Sequence, residues 1–237
     1  MFYYLGLLKI IQYCSIVLIS YPIVHTILLL TNQNYIKLNY HKRCYVVKNI
    51  IKSIMLCWIS IWSTRSIIIP VLYGENYVNE LMYETAAKYV SNDIIGLLLI
   101  PKLPRTTVFH HITTTLLVIS SFSIDFTNDN VGRWMFIYTM WSCFSFGVNA
   151  YLGLRFLITN ETNFFNVFVD ILRIFSFYKY LVCCIINWSW HACLIYQKLI
   201  VNELTIGHFT YLVFLIPIIR DDIILMSWLY HKSRWFR

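Results

Sequence analysis

The sequence has few charged residues for its length. Asp, Glu, Lys and Arg make up 13% of the 237 residues, whereas hydrophobic residues make up 59%. A water-soluble domain of this size needs about twice that charged fraction to cover its surface. Seven glycines and five prolines are also too few for a collagen-like or disordered chain. With a mean hydropathy of +0.62, the composition predicts an all-α, multi-pass integral membrane protein.

Several motifs of soluble proteins are also absent. The seven cysteines show no CxxC spacing and lie mostly in apolar segments, so we predict small buried hydrophobic residues and no metal site. There is no GxSxG nucleophile elbow, phosphate-binding loop or HExxH zinc helix. The net charge of +8 is compatible with nucleic-acid binding. However, the basic residues are dispersed among apolar runs, so we predict no nucleic-acid partner.

Seven apolar segments are predicted to span the membrane. The segment 66–74 is too short to cross and contains Pro70 and Gly74, which predicts an interfacial or re-entrant piece. The N-terminal segment lacks a basic region and an Ala-x-Ala cleavage site, so the first span is predicted to be retained. We divide the chain into a first span with a basic loop (1–44), a membrane domain (45–232) and a basic tail (233–237). The predicted spans are roughly 10–30, 46–63, 86–100, 107–124, 133–158, 164–187 and 205–230.

The distribution of charge between the spans predicts their orientation, because cytosolic loops are enriched in Lys and Arg. Alternate loops hold most of the cations, and the loops on the opposite side are acidic. This pattern predicts a lumenal or outside N-terminus and a cytosolic C-terminus. As a separate expectation, which charge does not specify, the membrane is that of the endoplasmic reticulum or another endomembrane. The acceptor triplet at Asn160 would be cytosolic and unglycosylated. The cations assigned to the cytosol are Lys37, Lys42, Arg43, Lys48, Lys102, Arg105, Arg155, Lys232, Arg234 and Arg237.

Polar and ionisable residues within the predicted spans are concentrated in their cytosolic halves. Charged side chains are costly in hydrocarbon, so we expect them to face a shared cavity that opens to the cytosol. The alternative for some of them is structural. Asp170 and Arg173 could pair at i,i+3, Arg220 could pair with its acidic neighbours, and Lys52 could reach the interface. The residues concerned are His25, Lys52, Asp93, His110, His111, Asn149, Asp170, Arg173, Arg220, Asp221 and Asp222.

Adjacent His110 and His111 are the strongest candidates for chemistry. Neighbouring residues on a helix diverge by about 100°, so they are not expected to bind one metal ion together. One imidazole can face the cavity while the other packs against a neighbouring helix. Near Asp93, a neutral imidazole would be held in one tautomer and become more basic, as a general base or nucleophile requires. We therefore take these three residues as candidate catalytic residues; the alternative is ordinary polar contacts between helices.

Three neighbouring segments carry a recognisable pattern: YVSNDIIGLLL (89–99), the short loop PKLPRT and HHITTTLLVIS (110–120). Together they resemble the TLC domain, the membrane domain shared by translocating-chain-associated proteins, ceramide synthases and lipid-homeostasis relatives. Asn149, Arg173 and the segment SWLYHK (227–232) are similar to further family positions, so the resemblance covers about 45–232. It implies a seven-span fold with a central cavity and a membrane lipid or fatty acyl ligand. The candidate cavity residues are Tyr89, Asn149, Arg173, Asp221 and Asp222.

One segment departs from the pattern of the synthases. Ceramide synthases carry His-Asp-x-x-Asp in the next span, where this chain reads TMWSCFSFGVNAYL and has no His or Asp between 134 and 159. The chain thus looks closer to the non-synthase members, and we expect lipid binding in membrane lipid homeostasis, with no cofactor. One alternative is an acyl-CoA-dependent acyltransferase that uses His110 or His111. The other is a non-catalytic, translocation-associated component.

Overall fold

The computed structural model describes residues 2–63, 69–73, 79–123, 130–158 and 163–231. Within these ranges the chain forms helices and no strands, which confirms the all-α class. The helices are α1 Phe2–Thr31, α2 Gln33–Lys37, α3 Tyr40–Ser63, α4 Ile69–Tyr73, α5 Asn79–Leu99, α6 Arg105–Ser121, α7 Asn130–Cys143, α8 Phe146–Leu154, α9 Asn163–Ile200 and α10 Ile206–His231.

Among the described residues, two helices are long and apolar enough to cross a membrane. They are Tyr3–Thr31, which is nearly all of α1, and Tyr40–Ser63, which is α3. Core helices of soluble proteins can meet the same criteria, so this is weak support for a membrane location.

Helices α1, α3 and α5 begin six to eight residues before the predicted spans 10–30, 46–63 and 86–100. Two further predicted spans differ more. The predicted span 133–158 is two helices, α7 and α8. They are separated by a turn in which the N–H groups of Phe144 and Ser145 bond to carbonyls three residues earlier. The predicted end at 187 is also wrong, because α9 continues to Ile200. Its polar residues Asn187 and His191 bond to main-chain carbonyls of α7, so they do not end the helix.

Other predictions agree more closely or lie outside the described residues. Helix α10 begins and ends within one residue of the predicted span 205–230. Of the predicted interfacial piece 66–74, only the five-residue helix α4 is described. The triplet at Asn160 and the tail 233–237 lie outside the described residues. All seven cysteines are free, but only Cys143, Cys183 and Cys184 are buried and Cys193 is exposed, so the prediction of buried cysteines holds only in part.

Polar residues lie inside the helix bundle, and large apolar side chains cover much of its exterior. Helix α1 packs mainly on α5, and α3 mainly on α8. The exposed side chains include Leu30, Ile61 and Leu98, each more than 60% exposed. Asp93 and Asn92, in contrast, are almost fully buried. This arrangement is the reverse of the usual pattern in a soluble protein, where buried charges are rare.

Candidate functional site

A cavity of about 550 Å³ lies within the bundle. Its lining comes from α3 and from each of α5 to α10, together with the segments 102–104 and 155–156. The cavity reaches one end of the bundle, where α3 and α6 begin and α5 and α8 end. Tyr89, Ser142 and Tyr180 line it further inside. The residues of α1 do not contribute, so the expectation that every helix supplies the polar layer is wrong for this helix.

His111 lies where α3, α5 and α6 meet. Its Nδ1 is 3.2 Å from Asp93 Oδ1, and its Nε2 is 2.7 Å from Lys48 Nζ. A protonated lysine can only donate a hydrogen bond, so Nε2 is the unprotonated nitrogen and the ring proton is on Nδ1, facing Asp93. Lys52 Nζ lies 2.5 Å from the same carboxylate oxygen. Nε2 of His111 is therefore hydrogen-bonded to Lys48, and its buried Nδ1 faces the carboxylate of Asp93.

The two lysines reach this cluster because of their spacing on α3. Lys48 and Lys52 are four residues apart, which puts them on one helix face, and both are buried with Leu56 and Ile59. Gly96 of α5 leaves room for one of them, since a Cβ at this position would lie 2.8 Å from Lys48 Cε. The carboxylate of Asp93 offsets one of the two positive charges, because it is fully buried between them.

His110 faces the cavity on the other side of α6. Its Nδ1 lies 3.3 Å from Asp221 Oδ2 on α10, and its side chain is 12% exposed. No polar partner for its Nε2 is found among the described residues. Of the two histidines, His110 therefore has the nitrogen that is free to meet a ligand. The predicted division of roles, one imidazole toward the cavity and one against a neighbouring helix, matches this geometry.

Asp222 binds two tyrosines from two other helices. Its Oδ2 accepts a hydrogen bond of 2.5 Å from the Tyr138 hydroxyl on α7, and its Oδ1 accepts one of 2.6 Å from the Tyr180 hydroxyl on α9. The carboxylate thus joins α7, α9 and α10 at the inner wall of the cavity. Asp221 contacts His110, and Arg220 is not within ion-pair distance of either carboxylate among the described ion pairs. The alternative that Arg220 forms a local pair is therefore not met.

Three of these side chains bring potential metal ligands together. One ligand atom from each of Asp93, His110 and His111 lies within 4.8 Å of the others, closer than the divergence of neighbouring helical residues led us to expect. The Lys48 and Lys52 ammonium groups already contact the same cluster. Their positive charge raises the electrostatic cost of placing a metal cation there. We therefore interpret the cluster as a hydrogen-bonded polar site.

The structure brings most of the predicted site residues together. Tyr89, Asn149, Asp221, Asp222, His110 and His111 line the cavity. Asp93 lies behind His111 and does not line it. The prediction for Arg173 is not met, since its Nη1 donates to the Leu229 carbonyl and its Nε lies 3.6 Å from Asp170, as the alternative of an i,i+3 pair anticipated.

One further expectation about the polar layer is wrong, and one further alternative is not met. His25 does not line the cavity, because its Nδ1 lies 2.6 Å from the Tyr35 hydroxyl. The alternative that Lys52 reaches the interface is not met, because its ammonium group pairs with the buried carboxylate of Asp93 on α5. Lys52 lines the cavity instead, as the expectation of a shared cavity requires.

Sequence reasoning missed Lys48 as a site residue and assigned it to the first basic loop. The structure places it inside α3, with 4% of its surface exposed. The signal was available, because Lys48, Lys52 and Leu56 recur at four-residue spacing on one face of that helix. No comparable pattern links Tyr138 and Tyr180 to Asp222, since the residues lie on three helices.

The arrangement offers one accessible imidazole, one imidazole held between a cation and an anion, and a cavity of a size typical for small-molecule sites. No family model, curated protein or solved structure matches this chain.

Proposed function

We propose that this chain is a seven-span membrane protein of the TLC-domain type that binds a lipid or fatty acyl chain in its cavity and acts in membrane lipid homeostasis. In this proposal the cavity opens to the cytosol, the N-terminus is lumenal or outside, and the protein resides in the endoplasmic reticulum or another endomembrane. The observation that carries the proposal is the cavity itself, which combines apolar walls with polar and charged groups inside a bundle with an apolar exterior.

The exterior of the bundle supports the membrane part of the proposal. Exposed apolar side chains occur along α1, α3, α9 and α10, far beyond the isolated patches found on soluble monomers. The buried charges meet their partners within the bundle, as in the ion pair between Lys52 and Asp93. Groups of this kind inside membranes face a bundle interior or a water-filled cavity rather than lipid.

The lining of the cavity supports the lipid part of the proposal. Leu56, Val148, Leu152 and Leu225 offer apolar surface beside Asn149 and the two histidines. Ligand sites commonly combine a mainly apolar wall with a few polar groups that orient the ligand. An acyl chain can pack on the leucines while its headgroup meets the polar side chains.

Identification of bound lipid by mass spectrometry tests the proposal. The full chain, solubilised in mild detergent and purified, is expected to retain lipid at close to one molecule per protein. Val148→Trp, which fills the cavity wall, is expected to remove that lipid. Val213→Trp is the matched control, because Val213 lies on the exterior of α10 and is 66% exposed. Protein that retains no lipid under these conditions contradicts the proposal and favours the translocation-associated alternative.

Acyl transfer is the second candidate function, and the geometry of His110 favours it. This imidazole lines the cavity and contacts Asp221 through Nδ1, which leaves Nε2 toward the ligand space. A carboxylate at Nδ1 orients an imidazole and increases its basicity. Such a group could act as a general base or attack an acyl thioester.

Incubation of the purified protein with acyl-CoA separates the two functions. An acyltransferase is expected to form a covalent acyl adduct or turn over the thioester. His110→Ala should abolish this reaction, and His111→Ala should slow it by disturbing the neighbouring cluster. Stable bound lipid with no adduct and no thioester consumption supports the binding protein instead.

A further inference from the structure

The cavity opens at the end of the bundle where α3 and α6 begin. This open end has an excess of positive charge. We propose that this end binds the anionic headgroup of an amphiphile, a phosphate or carboxylate attached to an acyl chain. The inference rests on the proposed lipid-binding function and specifies the chemical class of the lipid.

Three cations line this end of the cavity: Lys42 at the start of α3, Lys102 in the loop before α6, and Arg155 at the end of α8. None of them takes part in an ion pair with an acidic residue in the described part of the chain. The two carboxylates in the lining, Asp221 and Asp222, contact His110 and the two tyrosines. An anion from outside the chain would provide the compensating charge.

Arg155 is held in place by aromatic rings. Its guanidinium carbon lies 4.6 Å from the ring centre of Phe156 and 4.8 Å from that of Trp228. The rings of Tyr45 and Tyr151 are each 5.8 Å away. Its Nε is buried and has no hydrogen-bond acceptor among the described residues. Aromatic faces stabilise a guanidinium without using its N–H groups. Apart from the hydrogen bond to the Tyr151 side chain, the N–H groups of Arg155 remain available for contact with a phosphate or carboxylate.

The start of α6 adds hydrogen-bond donors to the same place. Its N-cap is Pro104, which makes no side-chain capping bond, and the N–H of Val108 donates to the Pro104 carbonyl at 3.0 Å. The N–H groups of the first turn before Val108 have no partner within the helix. Thr106 and Thr107 of that turn line the cavity. The positive end of the helix dipole thus reinforces the three cations.

The rest of the lining distinguishes an amphiphile from a soluble anion. Beyond the cations, Leu56, Val148, Leu152 and Leu225 form an apolar wall deeper in the cavity. A free phosphate would leave this wall in contact with water or empty. A headgroup attached to an acyl chain uses both parts of the cavity.

A pair of lipids that differ only in the headgroup tests the inference. Binding of dioleoylphosphatidic acid and dioleoylglycerol to the purified full chain is measured in detergent by tryptophan fluorescence or native mass spectrometry, with glycerol 3-phosphate as the soluble arm. We expect the phosphatidic acid to bind at least about tenfold more tightly than dioleoylglycerol, since hydrogen bonds to charged groups are strong. Glycerol 3-phosphate is expected to bind far more weakly than the lipid.

The variant Lys42→Gln/Lys102→Gln removes two of the cations at exposed positions, where folding should be unaffected. It is expected to reduce the preference for phosphatidic acid by about tenfold and to leave binding of dioleoylglycerol unchanged. Arg155→Gln should have the same effect, and Arg155→Lys a smaller one. Lys37→Gln is the control, because Lys37 is exposed on α2 and does not line the cavity.

Each contrary outcome overturns a distinct part of the argument. Equal affinity of the wild-type protein for the two lipids, or a preference that survives both substitutions, overturns the anionic headgroup. Binding of glycerol 3-phosphate as tightly as phosphatidic acid overturns the amphiphile and leaves a site for soluble phosphate. Failure to bind either lipid, together with no co-purified lipid, overturns the proposed function itself.

Discussion

Lys52 Nζ lies 2.5 Å from Asp93 Oδ1, and the carboxylate is completely buried. The pair joins α3 to α5 next to His111, which contacts the same carboxylate oxygen. A buried charge without a partner is costly, so the two side chains depend on each other. The ion pair is therefore part of the framework that holds the histidine.

Loss of either partner of this ion pair is expected to be strongly destabilising. Lys52→Met and Asp93→Asn should each lower the free energy of unfolding by about 3–5 kcal/mol, because one charge remains buried and uncompensated. The double variant should lose less than the sum of the two single variants. Thermal unfolding in detergent measures all three.

The control for these variants is Glu203→Gln, which breaks the pair between Lys198 and Glu203 at the end of α9. That glutamate is exposed, so its removal should hardly change the unfolding temperature. If the double variant of Lys52 and Asp93 loses as much stability as the two single variants together, the two side chains do not depend on each other and the prediction is contradicted.

The hydroxyl groups of Tyr138 and Tyr180 should each contribute to stability through Asp222. We expect Tyr138→Phe and Tyr180→Phe to cost about 1.5–3 kcal/mol each, the usual range for a hydrogen bond to a charged group. Tyr178→Phe on the same helix as Tyr180 should have no effect, since Tyr178 is 59% exposed. Chemical denaturation in detergent measures the free energy of unfolding of the three variants. Equal values for all three would argue against the hydrogen bonds to Asp222.

Gly153 allows α8 to approach α3 closely. A Cβ at this position would lie 3.0 Å from Ile50 Cγ1 and 3.4 Å from the Val46 carbonyl oxygen. Gly153→Ala is expected to destabilise the bundle by about 1–3 kcal/mol, as overpacking does in other cores. Gly207→Ala meets only ordinary contacts of 3.4 Å or more, and should be neutral or slightly stabilising, since alanine favours a helix. The shift of the unfolding midpoint from the wild-type value measures both variants. An equal loss of stability in the two variants would contradict the prediction.

Glycosylation mapping tests the proposed orientation. Asn160 should carry no glycan, because its acceptor triplet is assigned to the cytosol. Leu204→Thr completes a triplet at Asn202, which follows the opposite end of α9. With 38 residues, that helix is about 57 Å long and extends well beyond a hydrocarbon core of about 30 Å. We expect an endoglycosidase-sensitive shift on gels for Leu204→Thr and none for the wild-type chain. A glycan at Asn160 would show that the orientation is opposite to the proposed one.

Local sequence patterns predicted several features of the site correctly. Helical spacing and the depth of each residue in its span predicted an imidazole near Asp93 and different surroundings for the two histidines, but not which histidine contacts Asp93. The break between α7 and α8 was not predictable from hydropathy, because the apolar run continues through it. The extension of α9 was missed for a related reason, since Asn187 and His191 look like the end of an apolar segment until their partners on α7 are known.

The sequence by itself determined the helical class, the apolar character of the helix surfaces and several of the polar residues that lie inside the bundle, such as Asp93 and His111. These are local properties, because hydropathy and spacing act within one helix. Only the tertiary structure decided which polar groups meet. Lys48 and His111 are 63 residues apart in the chain, and Arg173 turns to the Leu229 carbonyl rather than to the cavity. Such pairings depend on how each helix is rotated about its axis against its neighbours, which no single segment specifies.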